Sequence, residues 1–326
     1  MKMAVYSCRE DEKPLFDLYA EKYGIETIIT SEMATVENAD LAQGCEAISV
    51  ITKPVTKELL DIWNGYGVKV ISTRTVGYEH VDHAYARKLG ITVSNVSYTP
   101  HTVAEYTIMT MLMAVRKMKA IMTRYIGQDY SLIDVRGKEL GNMTVGIIGT
   151  GQIGTQVIKN LSGFGCKILA YNPHEREEVK KHAEYVSLER LYKEADLISL
   201  HTPANADTHH MINTESINLM KDGVVLVNMA RGSLIDTTAL IAALEQGKVS
   251  AAALDVVENE SSIYYRDFKY RPVGHHEMAV LQSMPNVLMT PHTAFFTDEA
   301  VSDMIEYSIT SCIATVKGEK NPYQVN

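Results

Sequence analysis

Short, β-branched apolar runs alternate with amphipathic stretches along nearly the whole chain, and this rhythm is what parallel sheets built from βαβ units require. Met3 to Tyr6, Glu26 to Ile29, Ala47 to Ile51, Val68 to Ser72 and Ile91 to Ser94 read as five strands. Pro14 to Tyr23 and Lys57 to Trp63 read as helices between them. After a long helical stretch, Thr102 to Met118, and a loop around Gln128 to Gly141, a second series begins. Its strands are Val145 to Ile148, Lys167 to Tyr171, Leu197 to Leu200, Val224 to Asn228, Ala251 to Asp255 and Val287 to Thr290. A last helical stretch, Thr297 to Lys317, has no strand after it and is expected to return to the first series.

The turn out of the sixth strand carries Gly149, Gly151 and Gly154, spaced G-x-G-x-x-G, and runs into the helix-compatible segment Gln156 to Leu161. With Lys167 to Tyr171 arriving after it, this is the context of a dinucleotide site rather than a chance glycine cluster. The first glycine allows the tight turn, the second lets the backbone approach a pyrophosphate, and the third lets the helix pack close to the sheet. The helix N-terminus then faces the negative charge. The pattern therefore predicts an α/β protein of two doubly wound parallel-sheet domains. A Rossmann cofactor domain (residues 101–295) is inserted into a flavodoxin-like substrate domain (residues 1–100 plus 296–326), with the cleft between the sheets expected to hold the substrate.

A length of 326 residues exceeds what one compact core usually fills. The formal net charge of −9 argues against nucleic acid or an anionic membrane as main partner. No apolar run approaches the roughly 18 residues of a membrane span, and Met1 to Asp11 lacks the apolar core of a signal peptide. Cys8, Cys45, Cys166 and Cys312 are scattered with no C-x-x-C pair, which suits free thiols in a reducing cytoplasm. No metal site is expected: adjacent residues such as His209 and His210 seldom share a ligand face, and His275 and His276 lie in a polar insertion. His201 reads as structural or cofactor-adjacent, and Met109 to Met113 as helix packing.

Three polar features follow directly on strands of the second series: Asn228 to Gly232 with Arg231, Asp255 to Glu260, and Pro291 to Phe295 with His292. In an open parallel sheet ligands sit beyond the carboxyl ends of the strands, so all three can face one cleft. An arginine grips a carboxylate with two parallel hydrogen bonds, a histidine moves a proton near neutral pH, and a glutamate beside it orients the ring. That set suits the interconversion of a 2-keto acid and a 2-hydroxy acid with hydride from a nicotinamide. On chemistry alone the glutamate could be Glu258 or Glu260.

At these residues the chain resembles the D-isomer-specific 2-hydroxyacid dehydrogenase family, in particular its D-lactate dehydrogenase branch. The similarity takes in the glycine turn, Val135 to Leu140, Ser199 to Pro203, the Arg231 and Glu260 segments, and Met284 to Val287 running into Pro291 and His292. The intervals of 29 residues from Arg231 to Glu260 and 32 from Glu260 to His292 match that branch. Ile71 to Tyr78 and Asn95 to Pro100 are similar to the pyruvate reductases of vancomycin-resistance clusters. The resemblance implies Arg231 as the substrate-binding and polarising group, His292 as acid/base and Glu260 as its partner. It implies that the backbone amides of Val76 and Gly77 hold the carboxylate. It also implies NAD, with Gln152 and Ile153 at the pyrophosphate, Thr202, Pro203 and Thr208 along its path, Met229 and Ala230 near the nicotinamide, and Asp255 at its carboxamide.

One departure bears on the cofactor. Where the NAD-dependent pattern has an aspartate at the ribose, this chain has Asn172, followed by His174 and Arg176. An asparagine bonds a hydroxyl without repelling a 2′-phosphate, so NADP stays open beside NAD. Tyr98, Phe295, Phe296 and Val50 are candidates for the side-chain pocket, and Arg74 keeps a diacid open. The expected reaction is reduction of pyruvate to D-lactate, with 2-ketoisocaproate, phenylpyruvate and 2-ketoglutarate as alternatives. A dinucleotide-sensing, corepressor-like binding protein is the alternative of another class, and formate dehydrogenase is disfavoured because its branch has glutamine in place of Glu260. The apolar stretch Thr102 to Met118 suggests a homodimer interface.

Overall fold

The computed structural model describes residues Met1–Asn326. The chain divides into two compact units, Met1–Thr99 with Phe296–Asn326, and Pro100–Phe295. In the first unit β1 (Lys2–Val5), β2 (Glu26–Ile29), β3 (Ala47–Ser49), β4 (Val70–Ser72) and β5 (Thr92–Ser94) form a parallel sheet in the order β2-β1-β3-β4-β5. β3, β4 and most of β1 are buried, which is why these strands read as short continuous apolar runs. The helix Asp298–Val316 returns to this sheet. Its Val301, Ile305, Ile309 and Cys312 share a core with Met3, Val5, Phe16, Ala47 and Val70. Small polar side chains cement the contact, with the hydroxyls of Ser49 and Ser308 3.0 Å apart in the interior.

The second unit holds β6 (Thr144–Ile148), β7 (Lys167–Tyr171), β8 (Glu184–Tyr185), β9 (Leu197–Leu200), β10 (Val224–Asn228), β11 (Val249–Leu254) and β12 (Val287–Met289). All seven are parallel, in the order β12-β11-β10-β9-β6-β7-β8. The order reverses between β6 and β9, and such a switch point opens a crevice at the carboxyl ends of the two strands. The stretch Thr102 to Met118 is not one helix. It divides into His101–Val115 and Met118–Ile126 because Lys117 between them takes a left-handed φ of 55°. The first piece is apolar because it packs inside its own unit, burying Val103, Ala104, Ile108, Met111 and Ala114. Met109 within it is exposed, and further exposed apolar side chains follow at Met122, Tyr125, Ile126, Tyr130, Leu132 and Ile133. No helix is long and apolar enough to cross a membrane.

His201 lies under the switch point. Its N–H bonds to Ile148 O at 2.7 Å, and its Nε2 is 2.9 Å from the hydroxyl of buried Ser199. The residue keeps some exposed surface, but the ring itself is buried, and burial pushes its pKa down to about 4. A histidine held neutral in the fold is protonated first in the unfolded chain, so stability falls as pH drops from about 6.5 toward 4. This ring should cost about 2 kcal/mol between pH 6.5 and 5. Urea unfolding of wild type and His201→Gln at both pH values should show the smaller loss in the variant; equal losses would mean that the ring is solvated in the native state.

Candidate active site

At the glycine turn, the backbone has the shape that a bound pyrophosphate needs. Gly149 has φ +94°, and a Cβ there would lie 2.5 Å from His201 O, so only glycine fits. A Cβ on Gly154 would come within 2.0 Å of Gly149 O, which shows how tightly the helix Gln152–Leu161 sits on the turn. Gly151 is different: a Cβ would meet nothing within 4 Å, so its backbone is open to an approaching group. The first-turn N–H groups at Gln152 and Ile153 have no intrahelical acceptors and point out of the helix end. These residues fit a dinucleotide phosphate. Asn172, at the end of β7, accepts from Thr150 N at 3.2 Å and donates to His174 O at 2.8 Å, which leaves one amide proton and one lone pair for a further partner. Thr202 is half-buried and Pro203 exposed. The Thr208 hydroxyl donates to Pro203 O at 2.7 Å and so holds the turn rather than standing free. Met229 is buried and Ala230 half-buried after β10.

β10, β11 and β12 are neighbours, so the segments following them emerge side by side. Backbone bonds tie them together: Asp255 N donates to Asn228 O at 3.0 Å, and His292 N to Asp255 O at 2.8 Å. Gly232 packs against the next segment so closely that a Cβ would lie 2.1 Å from Val257 C, which carries the Arg231 segment onto the Glu260 segment. Arg231 is half-buried, its Nη1 donating to Ala230 O at 2.8 Å, while buried Asn228 donates to Arg231 O at 2.9 Å. Glu260 Oε1 lies 2.5 Å from His292 Nδ1, and Glu260 Oε2 accepts from Val257 N at 2.7 Å. With Nδ1 occupied, the imidazole presents Nε2 as its other proton-transfer atom. Phe295 meets the His292 ring edge-on at 6.3 Å. The choice left open between two glutamates resolves in the geometry, because Glu258 is engaged elsewhere: it contacts His210 Nε2 at 2.6 Å and accepts from Thr237 N and Oγ1.

Asp255 is 1% exposed, and its carboxylate faces the His292 turn. Oδ1 accepts from Thr290 Oγ1 at 2.6 Å and Thr293 N at 2.8 Å, and Oδ2 from Ala294 N at 2.9 Å. The turn needs this grip because His292 has a left-handed φ of 52°, a strained conformation for a residue with a Cβ. Tyr265, itself at φ 65°, donates its hydroxyl to His292 O at 2.8 Å. Sequence reasoning passed over Tyr265, because a tyrosine in a polar insertion carries no spacing signal.

In the first unit, the Val76 carbonyl accepts from Asn95 Nδ2 at 2.9 Å and the Gly77 carbonyl from Thr75 Oγ1 at 2.5 Å, while the N–H groups of both residues have no protein acceptor. Tyr98 is half-buried, Phe296 is exposed beside Arg9, and Val50 is buried in the core. Arg74 corrects an expectation. It is fully buried, ion-paired to Glu12 at 3.3 Å, and donates to Ser49 Oγ, Tyr6 O and Ser7 O, so its guanidinium braces the fold and the ground it offered for a diacid substrate is removed. Adjacent His209 and His210 share one face, contrary to the expectation that sequence neighbours seldom do. His210 has φ 50°, which swings the two rings to one side, where they stack 4.0 Å apart with the Glu258 carboxylate alongside.

Asp255→Asn should loosen the His292 turn. An amide group would oppose one of the three donors, at a cost of about 2–3 kcal/mol. The melting temperature should fall and turnover should drop more than KM changes. An unchanged melting temperature would show that the carboxylate does not hold the turn.

Residues 108–294 match the family model described as the NAD binding domain of D-isomer specific 2-hydroxyacid dehydrogenases. The chain is 43% identical over 312 residues to a D-specific alpha-keto acid dehydrogenase of Enterococcus faecium, covering 95% of this chain and 96% of that protein. It is 41% identical to an aromatic 2-oxoacid reductase of Clostridium sporogenes, covering 95% and 94%. The crystal structure of a D-lactate dehydrogenase from Treponema pallidum superposes with a TM-score of 0.91 at 33% identity, covering 100% of both chains. Whole-length likeness of this kind, over a fold that carries the glycine turn and the glutamate–histidine pair, places the chain in the D-isomer-specific 2-hydroxyacid dehydrogenase family, as an NAD-dependent enzyme that reduces a 2-keto acid to the D-2-hydroxy acid.

Proposed function

We propose that the substrate is pyruvate and the product D-lactate, with Arg231, Glu260 and His292 as the catalytic residues. The Glu260–His292 contact of 2.5 Å is the observation that carries this reading. Glu260 fixes the imidazole so that Nε2 delivers a proton to the keto oxygen as negative charge builds there, and Arg231 grips the carboxylate and polarises the carbonyl. The free N–H groups of Val76 and Gly77 are proposed carboxylate donors, and Tyr98 and Phe295 proposed neighbours of the substrate side chain. NADH, when bound, supplies the hydride. Gly149, Gly151, Gln152, Ile153 and Gly154 are its proposed pyrophosphate cradle and Asn172 its ribose contact. Thr202, Pro203 and Thr208 would follow its path, Met229 and Ala230 would flank the nicotinamide, and the remaining lone pair of Asp255 suits the carboxamide. An aromatic 2-keto acid such as phenylpyruvate is the second reading, favoured by the aromatic 2-oxoacid reductase relative. We place the enzyme in the cytoplasm, where its unpaired thiols suit a reducing compartment. We also propose a homodimer, with the exposed Met109 of the Thr102 to Met118 stretch and the exposed Met122, Tyr125, Ile126, Tyr130, Leu132 and Ile133 after it as its apolar surface.

Steady-state assays of pyruvate, 2-ketoisocaproate, phenylpyruvate and 2-ketoglutarate should rank pyruvate first by kcat/KM; preference for phenylpyruvate would select the second reading. Arg231→Lys keeps the charge but loses the fork, and should lower kcat/KM by about 10² to 10⁴ while NADH affinity barely changes. Near-normal efficiency in a folded variant would remove Arg231 from the site.

With no carboxylate at Asn172, the enzyme should turn over with NADPH as well as NADH. Asn172→Asp places a negative charge beside the 2′-position and should move the ratio of efficiencies toward NADH by about tenfold. An unmoved ratio would mean that another group sets the preference.

A further inference from the structure

We propose that His209, His210 and Glu258 form a site for a divalent transition-metal ion of the zinc class. Their ligand atoms lie within 4.8 Å of one another. A four-coordinate zinc holds its nitrogen and oxygen ligands at about 2.0–2.2 Å, which spaces them about 3.3–3.5 Å apart. His210 Nε2 and Glu258 Oε1, now 2.6 Å apart across a shared proton, would open by less than an ångström as the ion replaces that proton. His209 closes the set from outside. It is exposed, so the ring rotation that brings its nitrogen to the ion costs little packing.

Adjacent side chains normally diverge. Here the left-handed backbone at His210 turns both rings the same way, and they stack with an interplanar angle of 28°. The rest of the site is held firmly. Thr237 N and Oγ1 hold Glu258 Oε2 at 3.0 and 2.7 Å, an arrangement that orients a carboxylate ligand. His210 is anchored by its N–H to Ser233 O at 2.8 Å and by Asn213 Nδ2 to its carbonyl at 3.0 Å. Two imidazoles and one carboxylate suit zinc, nickel or copper better than calcium or magnesium, and leave a coordination position for water. The bound ion links the turn carrying Thr208 to the segment that leads into Glu260. Occupancy should therefore stabilise the native state, and affinity should fall in acid as protons compete for the imidazoles.

The test uses the full chain, stripped with chelator and titrated with Zn²⁺ by calorimetry, and with Co²⁺ by visible absorption. One saturable site per chain, a tetrahedral Co²⁺ spectrum and a raised melting temperature are expected. His209→Ala should weaken binding by about tenfold or more and abolish the cobalt bands, while metal-free dehydrogenase turnover stays at the wild-type level. Glu258→Gln should weaken binding as well. Absence of saturable binding at millimolar Zn²⁺, or undiminished binding in His209→Ala, would overturn the proposal.

Discussion

The buried carboxylate of Asp255 is the constraint on which the site depends. Its two oxygens take three donors from Thr290, Thr293 and Ala294, and its backbone carbonyl takes the N–H of His292. A carboxylate this deeply buried is tolerated because it is multiply hydrogen-bonded, and removing one partner leaves an uncompensated group. Through it β11 fixes the segment after β12, while Asp255 N to Asn228 O fixes that of β10. Three strand ends thus become one rigid frame that carries Arg231, Glu260 and His292 side by side.

Close backbone approach is the second constraint. Gly149, Gly154 and Gly232 each sit where a Cβ would fall within 2.5 Å of backbone atoms, so these glycines set how near the cofactor turn and the Arg231 segment come to their neighbours. Gly151 is the opposite case, a backbone where an added Cβ would meet nothing within 4 Å.

Backbone strain recurs beyond strand ends in both units, at Ser7 and Arg74 in the first and at four residues of the second. His210, Asn259, Tyr265 and His292 all take left-handed φ values without being glycine. Such conformations persist only where surrounding bonds over-determine them. The Asp255 clamp and the Tyr265 hydroxyl do this for His292, and the anchors from Ser233 and Asn213 do it for His210.

The alternation of β-branched apolar runs with amphipathic stretches determined which segments are strands; Glu26–Ile29, Lys167–Tyr171, Leu197–Leu200 and Val224–Asn228 fall where that pattern puts them, and the last two read as continuous apolar runs because they are fully buried. β8, two residues at the sheet edge, was illegible because so short a pair has no period. The glycine spacing and the positions of Arg231 and His292, three residues beyond Asn228 and Met289, were legible because each closely follows an apolar run, whereas Glu260 lies farther out, six residues beyond Leu254. Only the tertiary structure decided which glutamate meets His292, that Arg74 is spent on Glu12 and Ser49, and that His209 and His210 share a face. Those outcomes rest on backbone twists and on contacts between residues distant in the chain, and neither leaves a periodic trace in the order of amino acids.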